Sequence, residues 1–127
     1  MRYQLATEER PGYLCISVSG DAYPGIARSL AQEVFAAYEK NPLPRLLVDV
    51  TRVHISVGFG ETVVMVSDYQ EFGRKYPEKT AVLYSKADED TLRFYEVVAK
   101  NRGYTTKAFT DLEQAVAWLC GPANPKR

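Results

Sequence analysis

Cysteine, histidine, net charge and long apolar runs are what this chain has least of. Its two cysteines, Cys15 and Cys120, form neither a zinc-binding pattern nor a disulfide framework. One histidine, His54, would have to serve any imidazole chemistry or metal site. No apolar segment approaches the length needed to cross a bilayer. The opening Met1-Arg-Tyr-Gln-Leu5 has no apolar stretch behind its charge, so it does not read as a signal peptide. Sixteen basic and sixteen acidic side chains cancel over 127 residues, and no global field draws the protein to nucleic acid or an anionic membrane. These absences predict a reduced, cytoplasmic protein with no metal and no cofactor.

What is present is a strand and helix alternation of single-domain length. Tyr3 to Glu8 and Tyr13 to Ser19 alternate apolar and polar residues around Arg10-Pro11-Gly12, which predicts a hairpin. A helix opened by Pro24 follows, with Ile26, Leu30, Val34 and Tyr38 on one stripe widened by Ala27, Ala31 and Phe35. Asn41-Pro42-Leu43-Pro44 ends it, since a residue before proline is pushed out of the α region. Leu46 to Val50 is apolar without alternation, as a central strand covered on both faces is. Val48 and Val50 should share one face, Leu47 and Asp49 the other. Removing the Asp49 carboxylate should cost about 1–3 kcal/mol through loop N–H groups left unsatisfied.

The turn Gly58-Phe59-Gly60 should then lead into a helix from Glu61, with Met65, Val66, Tyr69 and Phe72 inside and Gly73 closing it. Thr80 to Tyr84 is a strand. Leu92, Tyr95, Val98 and Ala99 mark a third helix, capped by Gly103. Tyr104 to Phe109 is the last strand, and Thr110-Asp-Leu-Glu113 reads as a capping box. It opens a final helix carrying Leu112, Val116, Trp118 and Leu119. The order ββαβαβαβα gives a mixed, mostly parallel sheet of about five strands with four helices. Residues 1–121 form one domain, and residues 122–127 should be a loose tail.

This order resembles the SpoIIAA-like family, related to the STAS domains of bacterial anti-sigma factor antagonists and sulfate-transporter tails. The resemblance spans about Tyr13 to Leu119. It is carried by Phe94-Tyr-Glu-Val-Val-Ala-Lys-Asn-Arg-Gly103 and Ala108-Phe-Thr-Asp-Leu-Glu-Gln-Ala-Val-Ala-Trp-Leu119. It implies a small bacterial α/β module that regulates by binding, without known catalysis. Because some relatives are grouped with the CRAL-TRIO lipid-binding fold, it also implies an apolar-ligand carrier as an alternative. Antagonist STAS proteins carry Asp-Ser-Ser/Thr-Gly at the start of their second helix, where serine is phosphorylated. Here that stretch is Ser56-Val57-Gly58-Phe59-Gly60, and its one hydroxyl, Ser56, lies upstream of the expected place.

The address for recognition is therefore His54, Ser56, Val57, Gly58, Phe59, Gly60 and Glu61, beyond the end of the central strand, with Ser56 as the candidate phosphorylation site. A protein partner or a small apolar ligand would dock there, and a homodimer is compatible with it. Gly58-Phe-Gly60 lacks the third glycine and the downstream acid of a dinucleotide fingerprint, so a tight turn is favoured. His54 and Ser56, two positions apart, could be drawn as the base and nucleophile of a small hydrolase. No Gly-x-Ser-x-Gly elbow accompanies them, and a solvent-facing loop histidine is the simpler reading. Nine tyrosines and five phenylalanines are more aromatic surface than one small core easily hides. Tyr38, Tyr69 and Tyr95 belong on inner stripes with hydroxyls near the rim. Tyr23, Phe59, Tyr76 and Tyr84 fall at loops or strand ends, where exposure would signal an interface or an apolar pocket. Arg74-Lys75 and Lys100-Asn-Arg102 read as helix-end cations.

Overall fold

Pro11 and Gly12 make the first tight feature. Gly12 takes φ +92°, a conformation that a side chain resists, and so reverses the chain between β1 (Tyr3–Arg10) and β2 (Tyr13–Gly20). The computed structural model describes residues 3–20, 26–53, 58–72 and 76–121. After the hairpin come α1 (Ile26–Glu39), β3 (Arg45–Arg52), α2 (Phe59–Ser67), α3 (Tyr69–Phe72), β4 (Lys79–Leu83), α4 (Glu89–Asn101), β5 (Thr106–Phe109) and α5 (Leu112–Cys120). The sheet order is β1-β2-β3-β4-β5. Only the β1–β2 pair is antiparallel; the other three pairs are parallel. The expected architecture is found, and β3 is central.

Three local expectations are corrected. The single helix expected from Glu61 to Gly73 divides at Asp68, whose φ −87° and ψ 0° leave the helical region, so that among the described residues there are five α-helices where four were expected. Arg28 on α1 holds this break, pairing with Asp68 at 2.9 Å and Glu71 at 3.6 Å. Gly73 lies outside the described residues, as do Pro24, Tyr23 and Arg74-Lys75. The box at the start of α5 is shifted by one: Asp111, not Thr110, is the cap and accepts from the Glu113 amide at 3.2 Å. Glu113 then stands at the second helical position, one short of where a reciprocal box needs it. The shift also turns Leu112 outward, 43% exposed, and puts Ala115 inside with Leu119.

The cap of α4 follows the sequence. Gly103 at φ +91° lets its amide bond to Lys100 and the Tyr104 amide bond to Ala99, each at 3.0 Å, which is the Schellman arrangement.

The two faces of the sheet are covered differently. On one, Leu47 and Leu83 pack with Tyr13, Cys15, Ala81, Ala115 and Leu119, and Phe109 and Trp118 close the margin at a ring distance of 5.8 Å. On the other, Val18, Val50 and Val82 meet Leu30 of α1 and Leu92 of α4. Cys15 is buried and Cys120 exposed, both as free thiols. At the end of β3 the Asp49 carboxylate accepts from the Thr51 amide at 2.9 Å and the Thr51 hydroxyl at 2.7 Å. Both bonds are exposed, so water replaces them cheaply. The expected cost of Asp49→Ala therefore falls to about 0.5–1.5 kcal/mol, measurable by urea denaturation.

Candidate functional site

Two features converge behind the central strand: the start of α2 and a hollow beneath it. Helix α2 begins two residues earlier than the sequence suggests, because the Thr62 amide and hydroxyl both donate to the Gly58 carbonyl at 3.0 Å and close a first turn around Phe59 and Gly60. Gly58 is the N-cap, extended at φ −68° and ψ 160°, with no side chain capping the turn. Neither Gly58 nor Gly60 has positive φ. A Cβ at either would meet nothing within 4 Å. These glycines serve no strained turn; they leave the helix entrance bare of side chains at its positive pole. Glu61, half-buried in the first turn, favours the same pole.

Thr62 and Val66 point inward and are buried, while Val63 is 36% and Val64 57% exposed. The helix is thus apolar on its outer face as well. The signal was legible: Val63-Val64-Met65-Val66 is four successive apolar residues, and at about 3.6 residues per turn they cannot all face the core. Of the residues expected to act here, the structure brings together Gly58, Gly60, Glu61 and the Phe59 backbone. His54, Ser56 and Val57 lie outside the described residues, as does the Phe59 side chain. The His54–Ser56 pairing therefore has no described geometry.

The hollow lies between the sheet and α1, α2 and α4. It measures about 170 Å³, is floored by Val18, Val48, Val50 and Val82, and is roofed by Val34, Met65, Tyr69 and Tyr95. Among the described residues lining it none is acidic, basic or histidine. It explains why Val48, in the middle of the central strand, is only half-buried. Its mouth is aromatic. Tyr76, 37% exposed, stands edge-on to Phe35 at 5.7 Å, lies 5.5 Å from Tyr104, and donates to the Tyr69 carbonyl at 3.1 Å.

The tyrosines correct a further expectation. Tyr38 does keep its hydroxyl at the margin, donating to the Leu43 carbonyl at 2.6 Å. Tyr69 and Tyr95 instead bond to each other at 3.0 Å inside the fold. Burial drives the Tyr69 phenol well above its usual pKa and Tyr95 adds to the shift; burial also raises Tyr95. Tyr84 is buried at the end of β4 and donates to Glu89 at 2.7 Å. Desolvation first, then that bond, pushes it up to about 12. The hydrogen bonds from Tyr84 and Arg93 hold Glu89 below its usual range. Glu96 accepts from the Ala108 amide at 2.8 Å, tying α4 to β5.

Among the described residues no cluster of His, Cys, Asp and Glu could hold a metal ion, and no helix is long and apolar enough to cross a membrane. The fold so described is SpoIIAA-like, that of the STAS domains. An anti-sigma factor antagonist from Mycobacterium paratuberculosis is similar in structure, with a TM-score of 0.58 and 18% identity over 92% of this chain and 93% of that one. A protein with a SpoIIAA-like fold from Shewanella loihica PV-4 has a TM-score of 0.56 and 17% identity over 93% and 94%. No protein-family model and no curated protein matches the chain. The lipid-carrier alternative gains nothing from these neighbours.

Proposed function

We propose that this protein is a non-enzymatic, STAS-like regulatory module that recognises a protein partner through the start and outer face of α2. The observation that carries the reading is the exposure of Val63 and Val64 on a helix whose inner face is already occupied by Thr62 and Val66. Ligands of parallel sheets bind beyond the carboxyl ends of the strands, and α2 follows the loop leaving the central one. His54, Ser56, Val57, Gly58, Phe59, Gly60 and Glu61 form the rest of the proposed contact. Phosphate on Ser56 would place negative charge beside the same helix entrance and alter docking.

We take an anti-sigma factor as the class of partner, a reading supported by the anti-sigma factor antagonist among the structural neighbours. The test compares two exposed apolar positions on opposite sides of the sheet. Val64→Asp should weaken binding to an immobilised anti-sigma factor at least tenfold, about 1.4 kcal/mol. Leu112→Asp on α5 should leave it unchanged, and both variants should keep the wild-type circular dichroism. Loss of affinity at Leu112 alone, or at neither position, rejects the α2 surface.

A further inference from the structure

The hollow over Val48 has a chemistry of its own. Protein interiors pack at crystal density, and a half-open hollow of about 170 Å³ that reaches the central strand departs from that. An apolar cavity near 150 Å³ stays dry and takes up a molecule the size of benzene. Pockets for drug-sized ligands begin at about 300 Å³. The space is therefore too small for a lipid chain with its headgroup and well matched to a single small ring.

The lining also sets polarity. Charge is disfavoured, because among the described residues around the space none bears a carboxylate, a basic group or an imidazole that could pair with it. Its polar groups are threonine and tyrosine hydroxyls, and two of the tyrosines are bonded to each other. Tyr69 and Tyr95 both line the space and share one hydrogen bond between their hydroxyls. Two O–H groups supply two hydrogens, and the bond uses one. Tyr69 is the donor, so the hydrogen left over belongs to the Tyr95 hydroxyl. Tyr95 lines the space, so an occupant of the hollow can reach that hydrogen. A donor facing an apolar space gains from an occupant that brings an acceptor.

We propose that this cavity is a binding site for a small, neutral, mostly apolar molecule carrying one hydrogen-bond acceptor, such as an aromatic ketone, aldehyde or ester. Its ring fills the space between Val48, Val34 and Met65, and its acceptor takes the spare hydrogen of the Tyr69–Tyr95 pair. The site is distinct from the outer face of α2 and does not depend on the partner-binding reading.

Three probes of similar size distinguish the terms: acetophenone, ethylbenzene and benzoate. Calorimetric titration of the intact protein should show acetophenone binding at least tenfold more tightly than ethylbenzene, and no binding of benzoate. Tyr95→Phe should abolish the preference for the ketone while ethylbenzene still binds. Ala31→Leu, which fills the space from α1, should abolish binding of both neutral probes while circular dichroism stays unchanged. Should that variant fail to fold, Val34→Phe serves the same purpose. Equal affinity for benzoate, a ketone preference that survives Tyr95→Phe, retained binding in a folded cavity-filled variant, or no binding of either neutral probe overturns the proposal.

Discussion

Leu47→Ala is expected to destabilise the fold by about 3–5 kcal/mol, while Val48→Ala, one residue along the same strand, should cost only about 1 kcal/mol. The contrast comes from the two faces of β3. Leu47 is 1% exposed and packed with Leu83, Ala115 and Leu119, so its removal leaves a hole that close neighbours cannot fill. Val48 already borders the cavity, and truncation enlarges a space that is empty on one side. The methyl groups lost there have few partners to lose. The converse follows: Val48→Ile, which adds a methylene toward the void, should stabilise by about 0.5–1 kcal/mol, as cavity-filling changes commonly do. Urea midpoints of the three variants decide the matter. Equal costs at Leu47 and Val48 would mean that the second face is as well packed as the first.

The second large effect is alkaline unfolding. Tyr84 titrates at about 12 in the fold against 10.0 when unperturbed, and burial raises Tyr38, Tyr69, Tyr95 and Tyr104 as well. In that window the native state keeps phenolic protons that the unfolded chain releases, so it binds more protons and stability falls as pH rises. The contribution is whole below pH 10 and is lost as pH climbs through 12 for Tyr84. Helical circular dichroism and tyrosinate absorbance should therefore change together above pH 10. Tyr84→Phe should blunt the transition. A smooth tyrosinate titration completed near pH 10 with the helices intact would contradict the buried placement of these rings.

The sequence made the sheet legible because periodicity reports which residues are covered, and local chemistry reports where elements stop. The unbroken apolar run of β3 announced a strand covered on both sides, and Pro11-Gly12 and Asn101-Arg102-Gly103 marked their turns through backbone conformations that few residues adopt. The capping box was misplaced by one residue because Thr110 and Asp111 are both good caps, and only the end of β5 at Phe109 chooses between them. The break at Asp68 is paired with Arg28, forty positions away, a contact that no local pattern contains. The candidate site was partly legible. Its address falls at the end of the central strand, but Gly58-Phe59-Gly60 reads as a turn in the sequence, whereas Phe59 and Gly60 already belong to α2 and neither glycine has positive φ. The cavity was beyond reach for a different reason. Apolar periodicity says which residues face inward and carries no information on whether the helices meet the sheet closely enough to fill the space.

The recognition surface can be read most directly from backbone amide chemical shifts of the isotope-labelled protein during titration with an anti-sigma factor. The expected result is perturbation concentrated at Gly58, Gly60, Glu61, Val63 and Val64, with α5 unchanged. Perturbations confined to the hairpin turn from Arg10 to Gly12, or to Asn101 through Gly103, would contradict it and place the binding face at the opposite end of the sheet.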